Sequence, residues 1–343
     1  MDGARGVSVL HSERNKEDKV KVLHVTPHVG GGIGTVIMAW LDRVKGHNVA
    51  CLDYANDKVR AFASGKELFI FSRMIENAEF LILLIKEADI VVVHYWDSDF
   101  LKRLFSIELP ESRMVFWCHK HYWVKPEVAA YPDLVLGVSP IQQFDNFIWS
   151  CGDMKRFSQI VPVPHKGFNV GYVGTVDFKK IHPEFLDICN SIRVPNIRFI
   201  VVGENNIGGE SNGKFTFVGK VDDVVPYLNV FDIFGYPLRA NHYGTCEQVV
   251  GEAMCAGVVP VCMDNPAERT IIDNGFDGFL ASDEPEYIKK IEWLATHPLQ
   301  RAIMGDRARR DADAIYNINS MVMSWEMVFE KMMLQPKTKK GIL

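Results

Sequence analysis

Along the chain, short runs of consecutive apolar residues alternate with longer stretches whose apolar positions recur every three or four residues. Uninterrupted apolar runs are the pattern of strands buried on both faces of a parallel sheet, and the longer stretches that of helices packed on one side. The runs at 20–26, 88–94, 114–118 and 134–139 predict strands in the first half, with another entered from Gly46-His47-Asn48-Val49. Those at 169–174, 197–204, 215–220, 233–236 and 258–261 predict strands in the second half. A helix is predicted after the first strand, with Ile33, Val36, Ile37, Trp40, Leu41 and Val44 on one face. Further helices are predicted at 74–86, 222–229, 245–256, 285–297, 300–314 and 318–334. Regular alternation of this kind predicts an α/β fold with parallel sheets.

At 343 residues the chain has room for two domains with separate cores. Pro162-Val163-Pro164-His165-Lys166-Gly167 reads as the linker between them. The expected organisation is a frayed tail at 1–18, a first domain at 19–165, a second at 166–315, a long amphipathic helix at 316–335, and a loose basic tail at 336–343.

Composition narrows the function. Hydrophobic content of 48% and charged content of 24% are those of a globular protein. A formal net charge of -5 gives no electrostatic support for nucleic-acid binding. The cysteines at 51, 118, 151, 189, 246, 255 and 262 are odd in number and form no C-x-x-C pair, so reduced thiols in a cytoplasmic setting are expected. The first 19 residues are polar without an apolar core, so no signal peptide is expected. No apolar run is long enough to span a bilayer, which leaves peripheral membrane contact open.

In open parallel sheets ligands bind beyond the carboxyl ends of the strands. The glycine loop Gly30-Gly31-Gly32-Ile33-Gly34, His94, His119 and Ser139 all fall at such ends. The loop satisfies neither G-x-G-x-x-G nor a P-loop. It reads either as a tight turn or as bare backbone that approaches a phosphate or sugar. His121 competes with His119 for any role at that end, and Tyr95, Trp96, Trp117, Tyr122 and Trp123 surround them as core rings or sugar-stacking faces.

The most informative stretch is 232–257. It reads as a strand, a polar loop, a glycine turn at Gly244, and a helix from Thr245 to Ala256 ended by Gly257. A glycine turn that opens a helix offers free N–H groups and a positive dipole end to a phosphate. Thr245, Gln248 and Glu252 fall on one polar stripe of that helix, and a carboxylate so placed suits a ribose diol.

Glu252-Ala253-Met254-Cys255-Ala256-Gly257 followed by an apolar strand resembles the nucleotide-sugar signature of retaining glycosyltransferases of family 4. Gly46-His47-Asn48-Val49, Val173-Gly174 and Gly275-Phe276-Asp277-Gly278-Phe279-Leu280 resemble further motifs of the same family, in the same order. The resemblance implies the GT-B fold, two Rossmann-like domains facing a central cleft, with the last helix crossing back to the first domain. It implies transfer of a sugar from a UDP- or GDP-sugar to a sugar, lipid or protein acceptor with retention of configuration, by front-face substitution. The nucleoside diphosphate sugar is then a co-substrate, with no other cofactor and no metal.

By register the resemblance assigns catalytic roles to His119, Lys180 and Glu252. The donor diphosphate falls to Lys180 by register, to Lys179 as its neighbour, and to the backbone N–H groups of Gly32, Gly34, Gly244, Thr245 and Cys246 by the chemistry of the glycine loop and the helix start. The nucleoside falls to Gly219, Lys220, Gln248 and Glu252, and the donor sugar to His119, His242 and Glu247. Two positions depart from the pattern. Gly244 stands where the family has the first of two glutamates, with Glu247 and His242 as nearest substitutes, and Thr175 stands where it has an arginine. Because of these departures a nucleotide-sugar-binding protein without transfer, and a GT-B epimerase, stay as alternatives; a dehydrogenase lacks its fingerprint.

Overall fold

The computed structural model describes residues 19–65, 70–120, 124–142 and 144–343. The first half supplies β1 (Val22–Thr26), β2 (His47–Cys51), β3 (Ile70–Phe71), β4 (Ile90–Tyr95), β5 (Leu109–Ser112), β6 (Met114–Cys118) and β7 (Leu134–Gly137). The second supplies β8 (Phe168–Val173), β9 (Ile197–Val202), β10 (Phe215–Gly219), β11 (Ile233–Tyr236), β12 (Val259–Met263) and β13 (Phe279–Ala281), and the chain ends near β14 (Thr338–Lys340). They build two six-stranded sheets, β3-β2-β1-β4-β6-β7 and β10-β9-β8-β11-β12-β13. Every pairing within them is parallel. Each order reverses beside its own first strand, so each sheet opens a crevice at the carboxyl end of β1 or β8.

The apolar runs end up where the pattern requires. β1, β6 and β12 are buried at every residue. One core face of the first sheet, with Val22, Val92, Val115 and Trp117, is continuous with the core of the second half. The Ile318–Met333 helix makes that continuity. Asn317 caps it by accepting from the N–H groups of Asn319 and Ser320, and its Trp325 and Phe329 pack on Trp40 with ring centroids 4.8 and 6.2 Å apart. All seven cysteines are buried and none is in a disulfide.

Three local expectations change. The helix expected at 74–86 is a 3-10 turn, Met74–Glu76, and a helix Ala78–Glu87, separated where the Asn77 side chain accepts from the Phe80 N–H. Helices Asp57–Gly65 and Asp99–Phe105 were not anticipated from the sequence; each is short, at nine and seven residues, and spans few helical turns. The basic C-terminal stretch is not loose. β14 pairs antiparallel with β5, Lys340 Nζ lies 2.8 Å from Asp133 Oδ1, and the Leu343 N–H donates to the Phe105 carbonyl. Lys340 is 4% exposed, while the Asp133 side chain is 17% exposed and keeps the Met114 N–H and the Thr338 hydroxyl as donors when the ammonium is removed. Lys340→Ala is expected to cost up to about 3 kcal/mol, read as a lower denaturant midpoint with an unchanged slope. The tail expected at 1–18 lies outside the described residues.

Candidate active site

Both sheets aim their carboxyl ends at one cavity of about 620 Å³. From the first half it is lined by His28, the glycines 30–32, His119 and Lys120, which follow β1 and β6. From the second it is lined by Gly174 and Thr175 after β8, Glu204 after β9, Lys220 after β10, and the loop Tyr243 to Gln248 after β11.

Two helices begin at this cavity. Gly30 precedes the Gly31–Leu41 helix without any side-chain cap, and Gly31 takes φ +57°, a conformation that favours glycine. The Gln248–Cys255 helix likewise starts with no side-chain cap on its first N–H groups. The first N–H groups of an uncapped helix have no acceptor within the helix, so two positive dipole ends and their donors face the same space. Lys120, Lys180 and Lys220 add three ammonium groups to the lining.

The second helix starts later than its sequence suggests. Thr245 and Cys246 are 2% and 7% exposed, and hydrogen bonds to the first half hold them in a non-helical path. The Thr245 hydroxyl donates to the His119 carbonyl at 2.8 Å, Ser139 Oγ donates to the Thr245 carbonyl, and Cys246 Sγ donates to the Ser150 carbonyl at 3.0 Å. The Tyr316 hydroxyl donates to the Cys246 carbonyl at 2.7 Å. Glu247 then turns the chain at φ +33°, so the helix opens at Gln248. A non-glycine residue in this region costs about 1–3 kcal/mol and persists only where its surroundings fix it.

Here they do. The Glu247 carboxylate accepts from the Tyr236 hydroxyl at 2.6 Å and from Lys180 Nζ at 3.1 Å, with His242 Nδ1 3.7 Å from its other oxygen. Burial alone would raise its carboxyl, but Lys180, then His242 and the Tyr236 hydroxyl, hold it below the usual carboxylate range. A Cβ built on Gly244 would land on Glu247 Oε1. The carboxylate of Glu247 thus fills the space that a side chain at 244 would enter.

The structure sorts the remaining candidates. Gly32, His119, Lys180, Lys220, Gly244, Thr245, Cys246, Glu247 and Gln248 line the cavity. Gly34 does not; it lies within the helix, where its close neighbour is the Val29 backbone. Lys179 points to solvent with its N–H on the Asp177 carboxylate. Gly219 gives way to Lys220 at the cavity wall, because its own carbonyl is tied to the Gly203 N–H. His242 is 1% exposed and sits behind the wall. The Gly244 N–H lies 3.1 Å from its Nδ1, and its Nε2 lies 3.3 Å from the Glu268 carboxylate. His121 lies outside the described residues.

Glu252 is half-buried one turn beyond Gln248 and does not line the cavity. Burial raises its carboxyl to about 7, with Arg156 opposing. A carboxylate raised on folding destabilises the protein as pH climbs from its unfolded value, about 4.3, toward 7. Glu252→Gln is therefore expected to stabilise the protein by roughly 2–3 kcal/mol at pH 8 and to change little at pH 4. Denaturant midpoints at the two pH values test this.

Lys120 was missed by sequence reasoning. Its ammonium lies 5.3 Å from the Tyr243 ring and 5.8 Å from the Trp96 ring. Burial, then the Lys180 charge, lower its pKa. Its place right after His119 at a strand end was the available signal.

His119 donates to or accepts from His94, Nε2 to Nδ1 at 3.0 Å, and the pair is part of a longer buried row. Burial, then Lys120, push the His119 ring down to about 3, so it is neutral near pH 7.

Residues 167–297 match the family model described as Glycosyl transferases group 1. No curated protein matches the chain significantly in sequence. Among solved structures, HepE of Anabaena in complex with UDP superposes with a TM-score of 0.70 at 13% identity, covering 91% of this chain and 100% of that one. A glycosyltransferase from Rickettsia africae gives 0.70 at 14% identity, covering 92% and 99%. Sucrose-phosphate synthase from Thermosynechococcus elongatus gives 0.68 at 13% identity, again covering 92% and 99%. The chain has the α/β fold of these structures, GT-B, with two parallel sheets facing one cleft.

Proposed function

We propose that this chain is a glycosyltransferase that moves a sugar from a nucleoside diphosphate sugar to an acceptor hydroxyl with retention of configuration. The observation that carries the reading is the meeting of two uncapped helix starts and three lysines in one cavity at the carboxyl ends of both sheets. A diphosphate that gains charge as the glycosidic bond breaks is what such an arrangement stabilises. Lys180 and Lys120 take the diphosphate, Lys120 supplying from the first half the cation that Thr175 does not. Gln248 and Lys220 face the nucleoside, and His119 faces the donor sugar. Glu247 takes the place of the carboxylate absent at Gly244.

HepE is described with UDP and with UDP-glucose, which makes UDP the first nucleotide to try. UDP at 100 times its dissociation constant is expected to stabilise the protein by about 2.7 kcal/mol. A panel of UDP- and GDP-sugars should then show release of the free nucleotide, accelerated by an acceptor. No thermal shift with either nucleotide would overturn the reading. The pairing of Lys180 with Glu247 favours one alternative, a protein that binds the donor without transferring it. Tight UDP binding with no turnover on any acceptor would support that alternative. No helix among the described residues is long and apolar enough to cross a membrane, and we place the protein in the cytoplasm with a sugar, lipid or protein acceptor.

A further inference from the structure

One hydrogen bond across the cleft gathers two lysines around a single ring. The Thr245 hydroxyl donates to the His119 carbonyl at 2.8 Å, so the loop after β11 lies against the residues that follow β6. Tyr243 stands two residues before that hydroxyl, and Lys120 directly after that carbonyl. Lys120 Nζ lies 5.3 Å from the centre of the Tyr243 ring. Lys180 Nζ, from the second half, lies 5.8 Å from the same centre. A further ring flanks each ammonium: Trp96 at 5.8 Å from Lys120, and Tyr236 at 5.5 Å from Lys180. Rings and ammonium groups thus alternate from one half to the other, in the order Trp96, Lys120, Tyr243, Lys180, Tyr236. Trp96 and Tyr236 are buried, while Lys120, Tyr243 and Lys180 are half-buried and line the cavity. Tyr243 is the ring that both lysines share.

Two like charges so placed need something to hold them. With both near one ring centre, the ammonium groups are no more than about 11 Å apart. Lys180 is offset by the Glu247 carboxylate at 3.1 Å. Among the described residues no carboxylate is paired with Lys120, and burial and then the Lys180 charge lower its pKa. What faces Lys120 instead is a ring on either hand. The face of an aromatic ring is its negative side, and an ammonium within about 6 Å of the centroid is attracted to it, the more so where water is partly excluded. A free lysine side chain also has many rotamers to lose when it meets a ligand. Rings that fix both lysines at the cavity wall beforehand remove that cost from the binding step.

We propose that Tyr243 is a positioning residue for the donor diphosphate: its ring holds Lys120 of the first half and Lys180 of the second on one anion site. The proposal rests on the glycosyl-transfer reading above, in which both lysines take the diphosphate. Tyr243 acts through the two ammonium groups, and it acts with the face of its ring rather than with its hydroxyl. It also makes nucleotide affinity depend on the nearness of the two halves, because Lys120 reaches the ring only while the loop after β11 lies against β6.

Two variants of the full chain test this. Tyr243→Leu keeps an apolar side chain at the position and removes the ring, whereas Tyr243→Phe keeps the ring and removes the hydroxyl. The first measurement needs no nucleotide. NMR titration of the lysine side chains, with the Lys120 signal identified by its loss in Lys120→Arg, gives the Lys120 pKa. Without the ring the charged form loses an attraction, so this pKa should fall by about 0.5–1 in Tyr243→Leu, a three- to tenfold weaker hold on the proton. In Tyr243→Phe it should match the wild type. The second measurement is the dissociation constant of UDP, or of GDP if the wild type prefers it. It should rise about 10-fold in Tyr243→Leu and stay within about 2-fold of the wild type in Tyr243→Phe. A Lys120 pKa or a nucleotide affinity unchanged in Tyr243→Leu would overturn the proposal and leave the glycosyl-transfer reading standing. Equal losses in the two variants would assign the effect to the hydroxyl and overturn it as well. A wild type that binds neither nucleotide would take down the reading and the proposal together.

Discussion

Lys180→Ala is expected to lower nucleotide release from the donor by about 10²–10³-fold, the usual effect of removing one preorganised group from a developing anion. The same change strips Glu247 of its ion-pair partner. The carboxylate, 2% exposed at its side chain, would then rest on the Tyr236 hydroxyl with His242 nearby. Breaking a buried pair in this way costs about 3–5 kcal/mol. The sign of the pH response separates the two effects. In the wild type the Glu247 carboxyl is held low, so its contribution to stability is present above the unfolded value and lost as pH falls through the folded one. Without Lys180 the burial that opposes ionisation prevails, and stability should instead decline as pH rises past about 4.5. Chemical denaturation of both proteins at pH 4 and pH 7 measures this. A variant as stable as the wild type at pH 7 would mean that the pair is not the one holding Glu247 in place.

Gly244→Ala is expected to be nearly as damaging, although it adds a single methyl group. The new Cβ would fall on the Glu247 carboxylate and 3.1 Å from His242 Nδ1. Glu247 would have to leave both Tyr236 and Lys180, with the same cost of about 3–5 kcal/mol for an unpaired buried charge. Gly244→Glu, which restores the carboxylate seen at this register in the family it resembles, should do no better by itself. Combined with Glu247→Ala it should recover stability relative to either single change, by on the order of 1–3 kcal/mol of coupling between residues in contact. A double-mutant cycle read by denaturation and by UDP affinity decides it. Additive effects would show that residues 244 and 247 do not share one space.

Much of the fold was legible because its signals are local. Uninterrupted apolar runs such as 88–94 and 114–118 mark strands covered on both faces, and their alternation with helical stretches predicts parallel sheets before any contact is known. The short strand Ile70–Phe71, the strand Leu109–Ser112 and the docked β14 carry no such signal. They exist because a partner strand offers hydrogen bonds at their positions. The candidate site divides in the same way. Gly32 and His119 fall at strand ends and were legible by position, whereas Lys220 came with the family resemblance. Glu252 and His242 were chosen by motif register, yet lie outside the cavity wall.

By itself the sequence determined the α/β class and the crevice at the carboxyl ends of the strands, since each follows from a pattern within a few consecutive residues. Tertiary structure alone decided that Glu247 occupies the space beside Gly244, that Lys120 joins Lys180 across the cleft, and that His47, His24, His94 and His119 form one row. Those facts depend on which distant segments meet and in what strand register. Register is set by packing on the whole sheet face, which no single stretch of the chain encodes.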